Sequence, residues 1–102
     1  MKVGYARVST VKQDLELQRA KLAKLGVSDR DVYVDHGFSG KTMSRTGIEQ
    51  ALAACRDGDE LVVPTLDRLA RNTLEVLKLT GQLSERGIRL NVGGSIYDPH
   101  DV

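Results

Sequence analysis

The feature that most constrains the fold of this sequence is a regular alternation between short apolar segments and segments with helical periodicity. In the latter, apolar residues recur every three or four positions, as on one face of a helix. The pattern predicts four strands, at 2–8, 31–35, 60–64 and 88–92, and three helices, at 14–25, 46–56 and 66–86. Strands joined through helices pair in parallel with right-handed crossovers. We therefore expect an α/β fold: a mostly parallel four-stranded sheet, or a five-stranded mixed one, with helices on both faces.

Local details refine this prediction. Asp14 is a candidate N-cap for the first helix, in which Leu15, Leu22 and Leu25 form the apolar stripe. Cys55 lies on the apolar face of the second helix and is expected in the core. The paired glycines at 93–94 are expected to end regular structure after the fourth strand.

Composition limits the classes of protein to which the chain can belong. Its 102 residues suit one domain, and 15 Lys and Arg against 14 Asp and Glu give a net charge of +1. This balance argues against proteins that bind nucleic acid by bulk charge. The single cysteine excludes intramolecular disulfides and cysteine-rich zinc sites, and it favours a cytoplasmic location. No apolar run is long enough to predict a membrane span.

The end of the first strand carries a cation beside a hydroxyl. Arg7 and Ser9 are two residues apart, so their side chains point the same way if the backbone stays extended. A guanidinium next to a serine suits nucleophilic attack on a phosphodiester, because its planar donors match phosphate oxygens. The ordinary alternative is that Ser9 caps a turn and Arg7 is solvated. Spacing alone favours that alternative.

A second charged group follows the third strand. Arg68 and Arg71 are three residues apart and share a helix face, which would make a double guanidinium clamp for an anion. Asp67 would supply a carboxylate to donate or accept a proton there. The alternative is a simple helix salt bridge between Asp67 and Arg71. Spacing alone does not separate these two interpretations.

Other motifs point to no cofactor. The segment 39–42 (SGKT) ends like a phosphate-binding P-loop, but Asp35 stands where that loop needs its first glycine. His36 and His100 are isolated, so neither predicts a metal site. The four aromatic residues (Tyr and Phe) are too few to form a base-stacking platform. We therefore expect no metal and no cofactor.

Taken together, the segments resemble the catalytic domain of the serine recombinases, the resolvase and invertase family. Tyr5–Thr10 (YARVST) is similar to the nucleophile motif, and Leu66–Arg71 (LDRLAR) to the third-strand motif. Asn91–Gly94 is similar to the end of the fourth strand. The resemblance extends over essentially the whole chain. It also covers single positions outside these motifs, namely Gln13, Gln18, Asp35 and Arg45.

The resemblance implies a mechanism. Ser9 would attack a DNA phosphodiester, form a covalent 5′-phosphoserine and release a 3′-hydroxyl, without ATP. Asp67 would be the general acid, while the general base stays open, with activation of Ser9 by neighbouring arginines as one option. Arginines would stabilise the phosphate charge in place of a metal, and glutamines would organise the site. The residues implied are Arg7, Arg45, Arg68, Arg71, Gln13, Gln18 and, in the second-strand loop, Asp35.

The resemblance also implies partners: double-stranded DNA, and further copies of the chain forming a homodimer and then a tetramer. In the family a long helix and a DNA-binding region follow the catalytic domain. Neither pattern occurs before Val102, so we expect a truncated chain that is inactive in isolation. Two other functions remain open. One is a degenerate relative that only folds or mediates protein contacts. The other is an α/β ligand-binding domain, which predicts a glycine-rich phosphate loop or an acidic metal cluster.

Overall fold

In a computed structural model of the chain, five strands form one sheet in the order β2-β1-β3-β4-β5. The structure describes residues 1–8, 12–36, 46–69 and 72–98. No helix within these ranges is long and apolar enough to cross a membrane. The elements in chain order are β1 (Lys2–Val8), α1 (Lys12–Lys24), a 3-10 turn (Asp29–Asp31), β2 (Val32–His36), α2 (Thr46–Ala54), β3 (Glu60–Val63), α3 (Leu66–Leu69), α4 (Thr73–Glu85), β4 (Arg89–Val92) and β5 (Ser95–Tyr97).

The sheet is mixed. β1 pairs in parallel with β2 and β3, β3 pairs in parallel with β4, and β5 runs antiparallel to β4. Gly93 and Gly94 have φ values of 58° and 108° and connect Val92 to its pairing partner Ser95. A two-residue hairpin turn of type I′ needs positive φ at both positions, which glycine adopts without strain. The five-stranded alternative is therefore confirmed, while the expectation that these glycines end regular structure is wrong.

Helices cover both faces of the sheet, as predicted. On one face α2 and α4 bury Val3 and Tyr5 of β1, and on the other α1 packs Leu22 against Ala6. Cys55 is 2% exposed in the first of these clusters, which confirms its place in the core. Burial, helped by the nearby charge of Asp59, raises the pKa of its thiol to about 11. This thiol is therefore neutral at physiological pH.

The long third helix predicted over 66–86 is wrong, because the structure contains two helices there. α3 ends at Leu69, and α4 begins at Thr73 behind its N-cap Asn72. The Asn72 side chain accepts a hydrogen bond of 2.9 Å from the backbone N–H of Glu75. Asn followed three residues later by Glu is a helix-start pattern. Apolar periodicity continues through this position, which is why the break escapes a periodicity argument.

The N-cap predicted for α1 is also wrong. The helix begins at Lys12, so Asp14 lies in its first turn rather than before it. Carboxylates are favoured at both places, because both lie near the positive end of the helix dipole. Sequence preference alone therefore cannot separate a cap from a first-turn position. The Asp14 side chain makes a different contact, at the edge of the sheet where the candidate site lies.

Candidate active site

The candidate site lies where the carboxyl ends of β1 and β3 meet the helices that follow them. At this edge the backbone carbonyl of Arg7 accepts two side-chain hydrogen bonds. Gln18 Nε2 of α1 donates one, and Arg68 Nη1 of α3 donates the other, both at 3.1 Å. Two predicted site residues from different helices thus converge on one carbonyl, two positions before Ser9 in the sequence.

The Arg7 side chain completes a reciprocal contact. Its Nη2 donates to the backbone carbonyl of Asp67, so β1 holds α3 while α3, through Arg68, holds β1. The structure therefore brings Arg7, Gln18, Asp67 and Arg68 together at one edge of the sheet. Gln13 lies in the first turn of α1. The remaining predicted residues of this edge lie outside the described residues: Ser9, Arg45 and Arg71.

Gln18 is a buried polar residue, 5% exposed. Its Nε2 binds the Arg7 carbonyl, but its Oε1 is buried without a hydrogen-bond partner among the described residues. A buried acceptor without a donor costs free energy, so such groups are rare outside functional sites. Gln18 thus presents an amide oxygen that a hydroxyl at this edge can use.

Asp14 belongs to the same site, although its position in the sequence predicts only a capping role. Its Oδ1 accepts a hydrogen bond of 3.3 Å from Arg68 Nη2. The two side chains are 25% and 32% exposed, so the ion pair is partly shielded from water. One feature of the sequence could have placed Asp14 at this site, although not its partner: Asp14 precedes Gln18 by four residues, which places both on one face of α1.

The carboxylate of Asp67 is 76% exposed, and its Oδ2 lies 4.0 Å from Arg68 Nε. A hydrogen bond from the Thr65 side chain holds the pKa of Asp67 below its ordinary value. Its own backbone N–H and the charges of Arg68 and Arg7 act in the same direction, and they outweigh partial burial. Asp67 is therefore ionised at neutral pH.

Asp35 occupies a different environment, because the residue is 3% exposed and both of its carboxylate oxygens accept hydrogen bonds. Its Oδ1 accepts a 2.7 Å hydrogen bond from the Gly47 N–H, and its Oδ2 accepts bonds from Tyr5 OH at 2.7 Å and the Ile48 N–H at 3.1 Å. The side chain thus joins β2 and β1 to the start of α2.

The P-loop-like segment 39–42 and His100 lie outside the described residues. Within the described ranges, no group of three or more His, Cys, Asp or Glu side chains is placed to hold a metal ion. What the edge does present is two guanidinium groups, a buried amide and an exposed, ionised carboxylate. Such a set can bind a phosphate anion and transfer a proton.

Comparison with known families defines the class. Residues 2–101 match the family described as Resolvase, N terminal domain. The chain therefore belongs to the resolvase family through this domain, which confirms the resemblance noted from its motifs.

Individual relatives agree with this assignment. The chain is 43% identical over 88 residues to the transposon Tn552 resolvase of Staphylococcus aureus. It is 42% identical over 88 residues to the serine recombinase gin of Escherichia phage Mu, and 40% identical over 85 residues to the DNA-invertase hin of Salmonella typhimurium. These matches cover 83–86% of the chain but only 43–44% of each relative. The chain thus spans less than half the length of these relatives.

Proposed function

We propose that this domain is the catalytic domain of a site-specific DNA recombinase and that Ser9 is its nucleophile. Membership of the resolvase family and relatives named as resolvase, recombinase and DNA-invertase support DNA as the substrate. One structural observation carries the proposal: Gln18 and Arg68 both bind the Arg7 carbonyl, which fixes the backbone that leads to Ser9.

The proposed reaction exchanges one phosphoester for another. Ser9 Oγ attacks the phosphorus, the bond between phosphorus and the 3′ oxygen breaks, and a 5′-phosphoserine forms. The serine hydroxyl loses a proton, and the departing 3′ oxygen takes one up. Because the phosphoester bond is kept, a 3′-hydroxyl from another strand can attack the phosphoserine and release Ser9. No ATP is consumed.

Arginines would stabilise the charge that builds on the phosphate oxygens in the transition state. Arg7 and Arg68 are already held by protein oxygens, so they need little reorganisation when the substrate binds. The family resemblance adds Arg45 and Arg71 to this set. Gln13 and Gln18 would organise the site, and the buried Gln18 Oε1 is suited to accept a hydrogen bond from a hydroxyl.

We infer that Asp67 acts as the general acid only after it has gained a proton during the reaction. Its lowered pKa makes the carboxylate the resting form at neutral pH. In an in-line displacement the serine oxygen and the leaving 3′ oxygen lie on opposite sides of the phosphorus, so the proton that Ser9 releases would reach Asp67 through water, and Asp67 would then donate it to the leaving oxygen. Asp67 is then the acid, and the group that first takes the proton from Ser9 stays open.

The pH dependence of cleavage tests this role. Because the pKa of Asp67 lies below its ordinary value, the carboxylate is the resting form from pH 8 to pH 6, and we expect the cleavage rate to show no acid-promoted rise over this range. Asp67→Asn, which cannot transfer a proton, should slow cleavage about 10²–10⁴-fold. The measurement is the initial rate of adduct formation across this pH range. A tenfold rise per unit of falling pH that is lost in Asp67→Asn would show that Asp67 must be protonated beforehand.

Covalent trapping tests the proposed function as a whole. The protein, expressed from its complete reading frame, is incubated with a supercoiled plasmid carrying the genomic DNA that flanks its gene, and the reaction is stopped with denaturant. We expect protein–DNA adducts with the wild type and none with Ser9→Ala. Ser28→Ala is the matched control, because Ser28 is exposed at the opposite edge of the sheet. Equal adduct from wild type and Ser9→Ala, including none from either, would contradict the proposal and favour a degenerate relative.

We also propose that the active assembly is a homodimer that pairs into a tetramer. Exchange between two duplexes requires four strands to be cut, and each chain carries one Ser9. Large apolar side chains are exposed on α4 and β5. Exposed apolar residues that lie close together often mark a contact with another protein chain. Beside them lies a groove of about 390 Å³ between α4 and the strands β4 and β5. The exposed residues are Leu74, Leu77, Ile96 and Tyr97.

A further inference from the structure

The guanidinium of Arg68 is held at two points. Nη1 donates to the Arg7 carbonyl at 3.1 Å, and Nη2 donates to Asp14 Oδ1 at 3.3 Å. A guanidinium carries five N–H donors in one plane. Two contacts from different elements fix that plane, and within the described ranges Arg68 makes no further hydrogen bond, which leaves N–H groups for an anion.

Asp14 is well placed to hold this position. It lies in the first turn of α1, where the helix dipole stabilises a negative charge. One turn later, Gln18 binds the same Arg7 carbonyl that Arg68 binds. The face of α1 thus contacts both the end of β1 and the arginine from α3. Because the pair is partly buried, solvent and salt screen it less than a surface pair.

We propose that Asp14 is a positioning residue for the reaction: it orients the Arg68 guanidinium toward the phosphate that Ser9 attacks. This proposal rests on the proposed function. Asp14 adds a negative charge near the phosphate, so it does not improve DNA binding in the ground state. Its benefit comes from a correctly oriented donor in the transition state. The effect therefore falls on the rate at saturating DNA, and DNA affinity stays the same or improves when Asp14 is replaced.

Adduct kinetics test this split. With saturating supercoiled plasmid, we expect Asp14→Ala to slow adduct formation about tenfold, with DNA affinity equal to or tighter than that of the wild type. Asp14→Asn keeps an oxygen acceptor and should recover part of the rate. Asp29→Ala is the matched control, because Asp29 also pairs with an arginine of α1, Arg19, but at the amino end of β2. We expect Asp29→Ala to keep the wild-type rate.

A double-mutant cycle tests whether Asp14 acts through Arg68. In an Arg68→Lys background, Asp14→Ala should slow the reaction less than twofold further, because lysine lacks the planar guanidinium that Asp14 orients. A tenfold effect that persists in this background would show that Asp14 acts by another route and would overturn the proposal. An Asp14→Ala rate equal to or faster than that of the wild type would also overturn the proposal, since a faster rate would show that the ion pair between Asp14 and Arg68 slows the reaction.

The position of Arg68 can also be measured without DNA. In protein with ¹⁵N-labelled arginine, we expect the Arg68 Nη–H signals, whose groups make both contacts, to exchange with water more slowly than those of the exposed Arg30. Asp14→Ala should raise the Arg68 exchange rate toward that of Arg30, while Asp29→Ala should not. An unchanged Arg68 signal in Asp14→Ala overturns the positioning role even if Ser9 proves not to form adducts. Failure of the proposed function and failure of this inference are thus separately observable.

Discussion

Replacement of Arg68 by alanine is expected to slow covalent adduct formation about 10²–10³-fold, an effect typical of removing a donor aimed at a transition state. Arg68 donates to the Arg7 carbonyl and to Asp14, so the substitution removes both a charge for the phosphate and a link between α3 and β1. Arg68→Lys keeps the charge but not the planar fork, and we expect it to recover only part of the rate. The measurement is the rate of adduct formation at saturating plasmid.

The control for this prediction is Arg19→Ala. Arg19 also forms a hydrogen-bonded ion pair with an aspartate, Asp29, but away from the carboxyl edge of the sheet. We expect its adduct rate to stay within twofold of the wild type. Folding of each variant is checked by far-UV circular dichroism. A folded Arg68→Ala protein with a wild-type rate would remove Arg68 from the proposed site.

Replacement of Asp35 by alanine is expected to give the largest loss of stability, about 3 kcal/mol or more. The substitution leaves three donors without their acceptor, and each unsatisfied buried donor costs about 1–3 kcal/mol. The donors are the Tyr5 hydroxyl and the N–H groups of Gly47 and Ile48. The free energy of unfolding, measured with urea, checks this value.

Two further variants provide comparisons for the stability loss expected in Asp35→Ala. Tyr5→Phe removes one of the three donors, and we expect a loss of about 1 kcal/mol. Asp29→Ala removes a surface carboxylate that is 75% exposed and should change stability little. If Asp35→Ala is no less stable than Asp29→Ala, the carboxylate does not anchor α2.

The close approach of α2 to β2 explains why the residue after Arg45-Thr46 is glycine. A Cβ at Gly47 would lie 2.7 Å from the Val34 carbonyl oxygen and 2.8 Å from Asp35 Oδ1. Backbone cannot yield to such a contact cheaply. The glycine thus allows the helix N–H groups to reach the Asp35 carboxylate. The glycine at position 47 thus has a packing reason in the structure.

The strands and the first two helices followed from the sequence because their apolar patterns have distinct periods. β1 and β3 were predicted almost to their ends, since alternation and an unbroken apolar run mark half-buried and fully buried strands. The break between α3 and α4 was missed because the apolar spacing continues through Asn72. β5 was left open because the three residues of Ser95–Tyr97 are too few to show a period.

In the candidate site, too, some features could be predicted from the sequence and others could not. Arg7, Gln18, Asp67 and Arg68 could be selected from the sequence, because charged and amide side chains cluster at strand ends and match family motifs. The contact between Asp14 and Arg68 could not, because it joins residues 54 positions apart in the chain. Burial of Asp35 likewise depends on partners from other elements, whereas the lowered pKa of Asp67 comes first from the nearby Thr65 side chain. Local sequence identifies reactive groups, whereas the fold determines most of their partners.

The proposed nucleophile is tested most directly by identifying the residue that carries the DNA. The trapped adduct is digested with nuclease and protease, and the modified peptide is sequenced by mass spectrometry. We expect a nucleotide joined through its 5′-phosphate to Ser9, within the peptide that contains Arg7-Val8-Ser9-Thr10. A nucleotide joined to any other residue, or through its 3′-phosphate, would contradict this proposal.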